Sequence, residues 1–393
     1  MARGCHFYYH LLKSSLTRNN GATTLLSFFI AFLVASTSSA FLVWSKRWHM
    51  RFSADHFEGA QKFHAQATPR IGGLAIVLGL GAAFLTGEAP AAVLGPLLIA
   101  GALPFAVGLT EDLTNNVGVR RRLFFIAGGG LLFCVLADQW VRYVGLAGID
   151  PLLATPAIGM AFTVFALTGA ANAINIIDGF NGLAGGVSFL ILAALAIIAD
   201  QVGDGALMMV LLGLMGAIAG FLLLNFPRGK LFLGDGGAYL VGFLVGACAI
   251  LLAMRNPDVS PWVALVACAY PLLEMLFSIY RKSKREGYSP TQPDGVHLHM
   301  LVYRRITRHR LKHASAATRN AATSPFLWAY AAGPALGAVL FYDNDTLLIA
   351  TLGLSAVAYG LIYRRLTRFR WLPKSARPWL PLQAPHGAMP SSK

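Results

Sequence analysis

Charged residues are scarce in this chain of 393 residues: Asp, Glu, Lys and Arg make up 12% of it, against about 25% in a typical soluble protein. This shortage excludes an ordinary soluble domain. Cysteine is also rare, with four residues and no Cys-x-x-Cys spacing, so neither a zinc site nor a disulfide framework is indicated. Apolar residues dominate instead, at 56% of the chain.

Long apolar runs recur along the chain, and most reach the length of about 18 residues that lets a helix cross a bilayer. They predict an all-α, polytopic integral membrane protein with about 11 transmembrane helices. The predicted spans are 23–45, 71–87, 90–110, 122–141, 152–170, 183–199, 206–226, 236–254, 260–280, 325–342 and 346–363. They form one transmembrane domain over 23–365, between an N-terminal tail (1–22) and a basic, Pro-rich C-terminal tail (366–393).

The first run also fits a cleaved signal peptide, because a basic start precedes an apolar core and an end rich in small residues. The apolar run continues through Phe41 to Trp44, however, and is longer than the core of a signal peptide. A retained membrane anchor is therefore the favoured interpretation.

Basic residues are concentrated on one predicted side of the membrane. Of the 32 Lys and Arg, 27 lie in the C-terminal tail, at span edges or in one alternate set of loops: 46–70, 111–121, 171–182, 227–235 and 281–324. The positive-inside rule places this set in the cytoplasm, although the basic N-terminal tail is a local exception. The net charge of +15 suits a lipid surface, and nucleic acid is not an expected partner.

The unusual polar residues lie on the same predicted side. They fall in five segments: "QKFHAQATPRIGG" (61–73), "GLTEDLTNNVGVRRR" (108–122), "NAINIIDGFNGLAGG" (172–186), "NFPRGKLFLGDGGAY" (225–239) and "DGVHLHM" (294–300). The loops of the other side are short, and their charged residues are plain acidic ones apart from Arg142 and Arg255. A structural protein does not require this sorting, whereas an enzyme with one active site at the inner membrane face does.

The carboxylates and amides of these segments suit a divalent cation. Asp178 and Asp235 lie beside glycines at the ends of predicted spans, and Asn175 adds an amide oxygen. Such ligands suit Mg²⁺ or Mn²⁺, and Mg²⁺ usually bridges to phosphate oxygens. Nearby Lys and Arg would neutralise a second phosphate. The pattern therefore indicates phosphate chemistry at the membrane surface.

Each cluster also has a purely structural interpretation. The acidic pair at 111–112 is compatible with a solvated helix end, and the histidine pair at 297 and 299 with a surface pair that binds nothing. The polar triplet within 172–178 has a spacing of three, which places it along one side of a helix and also suits interhelical hydrogen bonds. The sorting of all the clusters to one side favours the enzyme.

The chain resembles the polyprenyl-phosphate N-acetylhexosamine-1-phosphate transferases in five segments, which occur in the family's order: "KFHAQATPRIGGLAI", "GLTEDL", "NAINIIDGFNGLAGG", "LFLGDGGAYLVGF" and "DGVHLHMLVYRR". The resemblance covers residues 45–305, and the histidine segment does not read like the muramoyl-pentapeptide branch. It implies Mg²⁺-dependent transfer of a sugar 1-phosphate, by default from UDP-N-acetylglucosamine, to undecaprenyl phosphate with release of UMP. It also implies a multi-pass protein of the bacterial inner membrane, which starts a lipid-linked surface glycan or cell-wall polysaccharide and sometimes forms a homodimer.

The resemblance implies a role for each matching residue. The catalytic set is Asp112, Glu111, Asp178, His297 and His299; the substrate-binding set is Lys62, His64, Arg70, Asn172, Asn175, Asn181, Gly179 and Arg120; the metal-binding set is Asp235, Asp178 and Asn175. Three positions depart from the family pattern, because Glu111 and Asn181 replace the usual Asp and Met300 replaces a usual His.

Two mechanisms stay open at this point. In the direct route the lipid phosphate attacks the β-phosphorus of the UDP-sugar, and in the two-step route Asp112 attacks first and forms a phospho-enzyme. Three rival functions also stay open: an inactive scaffold of the same fold, a transporter of an anionic solute and a lipid phosphatase. A transporter is disfavoured, because its polar residues are expected near the middle of the membrane.

Overall fold

Helices form almost all of the chain that the computed structural model describes, which is residues 21–53, 67–87, 89–284 and 296–368. In chain order they are α1 (Gly21–Trp44), α2 (Lys46–Ser53), α3 (Gly72–Leu85), α4 (Ala91–Thr114), α5 (Val119–Leu136), α6 (Asp150–Leu153), α7 (Pro156–Ile177), α8 (Leu183–Gln201), α9 (Gly205–Asn225), α10 (Gly234–Arg255), α11 (Trp262–Ala267), α12 (Ala269–Ser283), α13 (Leu298–Val302), α14 (Arg308–Arg310), α15 (Ala316–Ala321), α16 (Ser324–Leu340) and α17 (Asp345–Thr367). A π-helical turn, Tyr303–Thr307, separates α13 from α14.

Several of these helices have the length and composition of membrane spans. Within the described ranges there are seven: Leu25–Trp44, Ala91–Thr114, Pro156–Ile177, Leu183–Gln201, Gly205–Asn225, Gly234–Arg255 and Asp345–Thr367. Each has at least 19 residues, which at about 1.5 Å per residue nearly matches the ~30 Å hydrocarbon core of a bilayer. The prediction of an all-α, polytopic membrane protein is confirmed.

Shorter or interrupted helices occupy the other four predicted spans. α3 has 14 residues and α16 has 17. The first turn of α5 contains three arginines, so the apolar part of this helix is shorter than the predicted span 122–141. Cys268 divides the predicted span 260–280 into α11 and α12. An apolar run in the sequence can form a helix too short to span a bilayer. The number of apolar runs therefore exceeds the number of helices that are long enough to span.

α10 is the central helix of the fold. In its most apolar window 89% of the residues are buried, the largest share among the seven candidate spans. It packs mainly against α4 and α7, and it also contacts α3. Glycines permit this close approach: a side chain at Gly108 would overlap the backbone of Gly236, and one at Gly73 would overlap the backbone of Gly237. The start of α10 is thereby held against the end of α4 and the start of α3.

The polar segments meet at this end of the bundle. α4 and α7 end there, and α3, α5 and α10 begin there, joined by hydrogen bonds between their terminal residues. α13, which follows α12 in the chain, also lies at this end, since His299 on α13 lies against the turn after α7. Segments that are far apart in the sequence therefore form one site.

Candidate active site

The first turn of α10 is capped by a carboxylate from α4. Asp112 is 1% exposed. Its Oδ1 accepts a hydrogen bond from the backbone N–H of Asp235, and its Oδ2 accepts one from the backbone N–H of Gly236, each at 2.9 Å. Arg70, just before α3, donates from Nη2 to the same Oδ1 at 2.9 Å. Unpaired N–H groups at a helix start favour a negative charge. Asp112, on α4, therefore caps α10 and also holds Arg70 just before α3.

The backbone before α10 is shaped for this contact. Gly234 has φ of +77°, in the left-handed region that favours glycine. A side chain there would also overlap the carbonyl of Arg70 and the carboxylate of Asp112. The glycine before Asp235 in "LFLGDGG" is therefore required by the turn itself.

Asp235 lies in the first turn of α10 and connects two further helices. Its Oδ1 accepts a hydrogen bond from Nδ2 of Asn175, on α7, at 2.9 Å, and its Oδ2 accepts one from Nη1 of Arg122, on α5, at 3.0 Å. The same Nη1 lies 3.4 Å from the hydroxyl of Tyr239. Asp235 stays 20% exposed, so a ligand can still reach it.

Asp178 is the carboxylate of this group that receives no hydrogen bond from the part of the chain that the structure describes. It follows α7 directly and is partly exposed, and its side-chain oxygens accept no hydrogen bond from the described residues. Desolvation, followed by the negative charges of Asp235 and Asp112, raises the pKa of Asp178 to about 8, although Arg70 acts in the opposite direction. Three carboxylates thus concentrate negative charge at the end of the bundle, and Asp178 is the one that a cation would relieve.

The donor set fits a magnesium ion that shares its ligands with a substrate. Asp178 and Asp235 offer carboxylate oxygens, and Asn175 offers an amide oxygen, since its Nδ2 already bonds to Asp235. Within the described residues, no group of three or more His, Cys, Asp or Glu has the arrangement of a metal site. Mg²⁺ usually takes only one or two carboxylates and completes its shell with water and phosphate, so a smaller donor set suits it.

The histidine segment is buried against the turn after α7. His297 and His299 are 4% and 0% exposed, so they do not form a surface pair. Their rings stack with centroids 5.3 Å apart and planes 5° apart. A side chain at Gly179 would lie 3.1 Å from Nε2 of His299, so this histidine touches the turn beside Asp178. Burial lowers the pKa of His299 to about 3, so its ring is neutral at pH 7.

A residue that sequence reasoning missed holds this segment. Glu274, on α12, is fully buried, and its Oε1 lies 2.9 Å from Nδ1 of His297. The backbone N–H of Leu298 also donates to both of its oxygens, at 3.1 and 3.2 Å. The signal was present in the sequence, since this is the only charged residue in the predicted span 260–280. The sequence named Arg120 to Arg122 together as groups that could neutralise a phosphate, because a run of three arginines does not indicate which one points to the site.

Two predicted site residues contact their own surroundings instead, and a third is exposed. Oε2 of Glu111 accepts a hydrogen bond from the backbone N–H of Val117 at 2.7 Å and closes the loop after α4. Asn172 donates to the carbonyl of Thr168 within α7 at 2.8 Å. Arg120 is exposed. Their assigned roles stay predictions.

Asn181 is buried in contacts that hold the loop between α7 and α8. Its backbone N–H donates to Oδ1 of Asn320 at 2.8 Å, and its Nδ2 donates to the carbonyl of Pro227 at 3.0 Å. Its carbonyl accepts from Oγ of Ser324 at 2.6 Å. Substrate binding by Asn181 stays a prediction. The predicted residues Lys62 and His64 lie outside the described residues.

Comparison with known proteins gives a family match and three informative relatives. The sequence model of glycosyl transferase family 4 matches residues 94–253. The decaprenyl-phosphate N-acetylglucosaminephosphotransferase of Mycobacterium tuberculosis (strain ATCC 25618 / H37Rv) is 30% identical over 328 residues, which are 75% of this chain and 78% of the relative. The undecaprenyl-phosphate alpha-N-acetylglucosaminyl 1-phosphate transferases of Yersinia pestis and Escherichia coli (strain K12) are each 32% identical, over 68% and 62% of this chain and 74% and 67% of theirs.

Proposed function

The chain belongs to glycosyl transferase family 4, and from this premise we propose that it transfers N-acetylglucosamine 1-phosphate from UDP-N-acetylglucosamine to undecaprenyl phosphate, with release of UMP. The reaction takes place at the cytoplasmic face of a bacterial inner membrane. Its product starts a lipid-linked glycan. The names of the relatives support a polyprenyl phosphate as acceptor and N-acetylglucosamine phosphate as the transferred group.

The observation that carries this proposal is the meeting of Asp112, Asp178 and Asp235 at one end of the bundle. They come from three helices and lie close enough that two of the carboxylates raise the pKa of the third. Such a concentration of negative charge is costly near a membrane unless it serves a cation or a reaction. The donor and the acceptor are both anionic, so they require a cation to lie between their phosphates and these carboxylates.

Mg²⁺ would be held by Asp178, Asp235 and Asn175. When bound, it would supply positive charge to the phosphates of the donor and to the departing UMP. Arg70 and Arg122 lie next to these carboxylates and would add fixed positive charge beside the phosphates.

The surroundings of Asp112 favour the direct route over the two-step route. Both of its oxygens already accept hydrogen bonds, and the side chain is 1% exposed, so it is a poor nucleophile. A phosphate oxygen of the lipid therefore attacks the β-phosphorus itself. The bond from that phosphorus to the bridging oxygen breaks, and UMP leaves with the electron pair. Phosphoryl transfer depends mostly on positioning and charge, and Asp112 contributes by fixing the start of α10.

The test uses the full chain, purified in detergent, with undecaprenyl phosphate, Mg²⁺ and a panel of UDP-N-acetylhexosamines. We expect UMP and a lipid-linked sugar diphosphate only when lipid, metal and UDP-N-acetylglucosamine are all present. Asp235→Asn should abolish turnover. Asp204→Asn is the matched control, because Asp204 pairs with Arg255 at the other end of α10.

Three results would contradict the proposal. No UMP from any donor, with folded and monodisperse protein, would favour an inactive scaffold or a transporter. Phosphate release from the lipid without a donor would indicate a lipid phosphatase. Near-normal turnover in Asp235→Asn would remove the metal assignment and leave the reaction in place.

A further inference from the structure

Glu274 is a buried carboxylate that the proposed reaction does not yet use. It lies in the middle of α12 and is fully buried. Burial of a charge is costly unless hydrogen bonds compensate it. The compensation comes from the other side of the loop after α12, where Nδ1 of His297 and the backbone N–H of Leu298 bond to the carboxylate. Glu274 therefore fixes both the side chain and the backbone at the start of α13.

This contact determines which nitrogen of His297 remains available. A carboxylate that accepts from Nδ1 requires the hydrogen to be there, so the ring is held in one orientation and one tautomer. Nε2 of His297 has no hydrogen-bond partner among the described residues. Of the two ring nitrogens of His297, Nε2 is therefore the one left to contact a ligand.

The position of the ring relative to the carboxylates follows from two further contacts. The ring of His297 stacks on that of His299. His299 in turn lies against Gly179, next to Asp178. His297 is thus two contacts away from the turn that carries Asp178.

We propose that Glu274 is a positioning residue for the donor substrate, which acts through Nδ1 of His297 and the backbone of Leu298 to hold the stacked rings of His297 and His299 at the Asp178–Gly179 turn, where the UDP-sugar binds. This inference rests on the proposed function, because it presumes a nucleoside diphosphate sugar as donor. Glu274 itself touches no substrate. Its effect should therefore appear in the binding of the donor and not in that of the lipid.

The experiment compares wild type, Glu274→Gln, His297→Ala and the double variant in steady-state transfer. Glutamine keeps the volume of the side chain and removes its charge. We expect kcat/KM for the UDP-sugar to fall about 10- to 100-fold, mostly through KM, the range that loss of one charged hydrogen bond gives. KM for undecaprenyl phosphate should stay within about twofold of wild type, since P–O chemistry on the lipid side does not involve His297.

The double variant tests whether Glu274 acts through His297. If it does, adding Glu274→Gln to His297→Ala should lower kcat/KM for the donor by a smaller factor than Glu274→Gln does in wild type. Losses that multiply would overturn the proposal, because they would indicate two independent roles. An unchanged donor KM in Glu274→Gln would overturn it as well.

A control separates positioning from stability. Asp204→Asn also breaks a buried carboxylate pair, with Arg255, which lies about 30 Å from Asp235 at the other end of α10. Both variants should unfold more easily, but only Glu274→Gln should raise the donor KM. If Glu274→Gln does not fold, Glu274→Asp, which keeps the charge on a shorter side chain, replaces it with the same expected shift in donor KM.

The outcomes distinguish this inference from the proposed function. If wild type transfers the sugar and Glu274→Gln matches it in donor KM, only the inference is overturned. If wild type, folded and supplied with lipid and Mg²⁺, transfers nothing from any UDP-sugar, the proposed function and the inference are both overturned.

Discussion

Replacement of Asp112 by asparagine should destabilise the protein as well as slow it. In the structure this carboxylate receives three hydrogen bonds, from two backbone N–H groups of α10 and from Arg70. An asparagine side chain has one acceptor oxygen and one NH₂ group, and the NH₂ group would face an N–H donor. At least one buried donor then loses its partner, and Arg70 loses its ion pair with this carboxylate.

The expected magnitude follows from these contacts. Breaking a buried ion pair by removing one partner costs about 3–5 kcal/mol. The lower end applies here, because Arg70 is 20% exposed and can be partly solvated. We therefore expect Asp112→Asn to lower the free energy of unfolding by about 3 kcal/mol, and Asp112→Ala by about 4–5 kcal/mol. Against a total of about 5–15 kcal/mol, this loss is large.

Unfolding by SDS in mixed micelles, followed by circular dichroism, measures this difference, with turnover measured on the same preparations. Glu111→Gln is the control: the carboxylate of Glu111 accepts one hydrogen bond, from the backbone N–H of Val117, so the substitution should cost under about 1 kcal/mol. An Asp112→Asn protein that unfolds at the wild-type midpoint and has lost its turnover would refute the reasoning. The residue would then act in the chemistry and not as the cap of α10.

Three further predictions concern the same end of the bundle. The folded protein holds Asp178 at a pKa of about 8, above its ordinary value, so the free energy of unfolding in a chelator should fall as pH rises from about 4 to about 8. Asp178→Asn should flatten this pH dependence in thermal unfolding. Equal pH dependence in the two proteins would contradict the assignment. Arg122→Gln should lower turnover but change the free energy of unfolding by less than about 1 kcal/mol, because the ion pair of Arg122 with Asp235 is partly exposed. A loss of several kcal/mol would mean that the pair is structural. Asn225→Ala should cost about 2–4 kcal/mol, because it leaves the N–H of Gly182 and the carbonyl of Leu231 without partners; a wild-type unfolding midpoint would show that these groups find other partners.

The sequence predicted the parts of the site that depend on local pattern. The spacing of Asn175 and Asp178 indicated one side of a helix end, and the glycines around Asp235 indicated a turn into a helix. The structure has α7 ending at Ile177 and α10 beginning at Gly234, so both side chains lie at helix termini. Periodicity and turn residues are properties of a few consecutive residues and can be read without the fold.

The missed parts depend on packing between distant segments. Arg122 pairs with a carboxylate 113 residues later, and Asp112 caps a helix that begins more than 120 residues after it. No local pattern distinguishes Arg122 from its two neighbours. No local pattern shows either that Asp112 will cap α10 while Glu111 closes the loop after α4. Glu274 was overlooked because its only signal, a single carboxylate in an apolar run, acquires meaning through a histidine 23 residues away.

The burial of α10 also bears on how the protein is assembled during synthesis. The helices that surround it most closely, α3, α4 and α7, all precede it in the chain. The groove that receives α10 therefore exists before the ribosome has completed α10. This helix, which has almost no side free to face lipid, can pass from the translocation machinery directly into contact with protein. Asp112 and its partner Arg70 precede α10 in the chain, so Asp235, at the start of α10, is the last of the three carboxylates to be synthesised and completes the charge cluster.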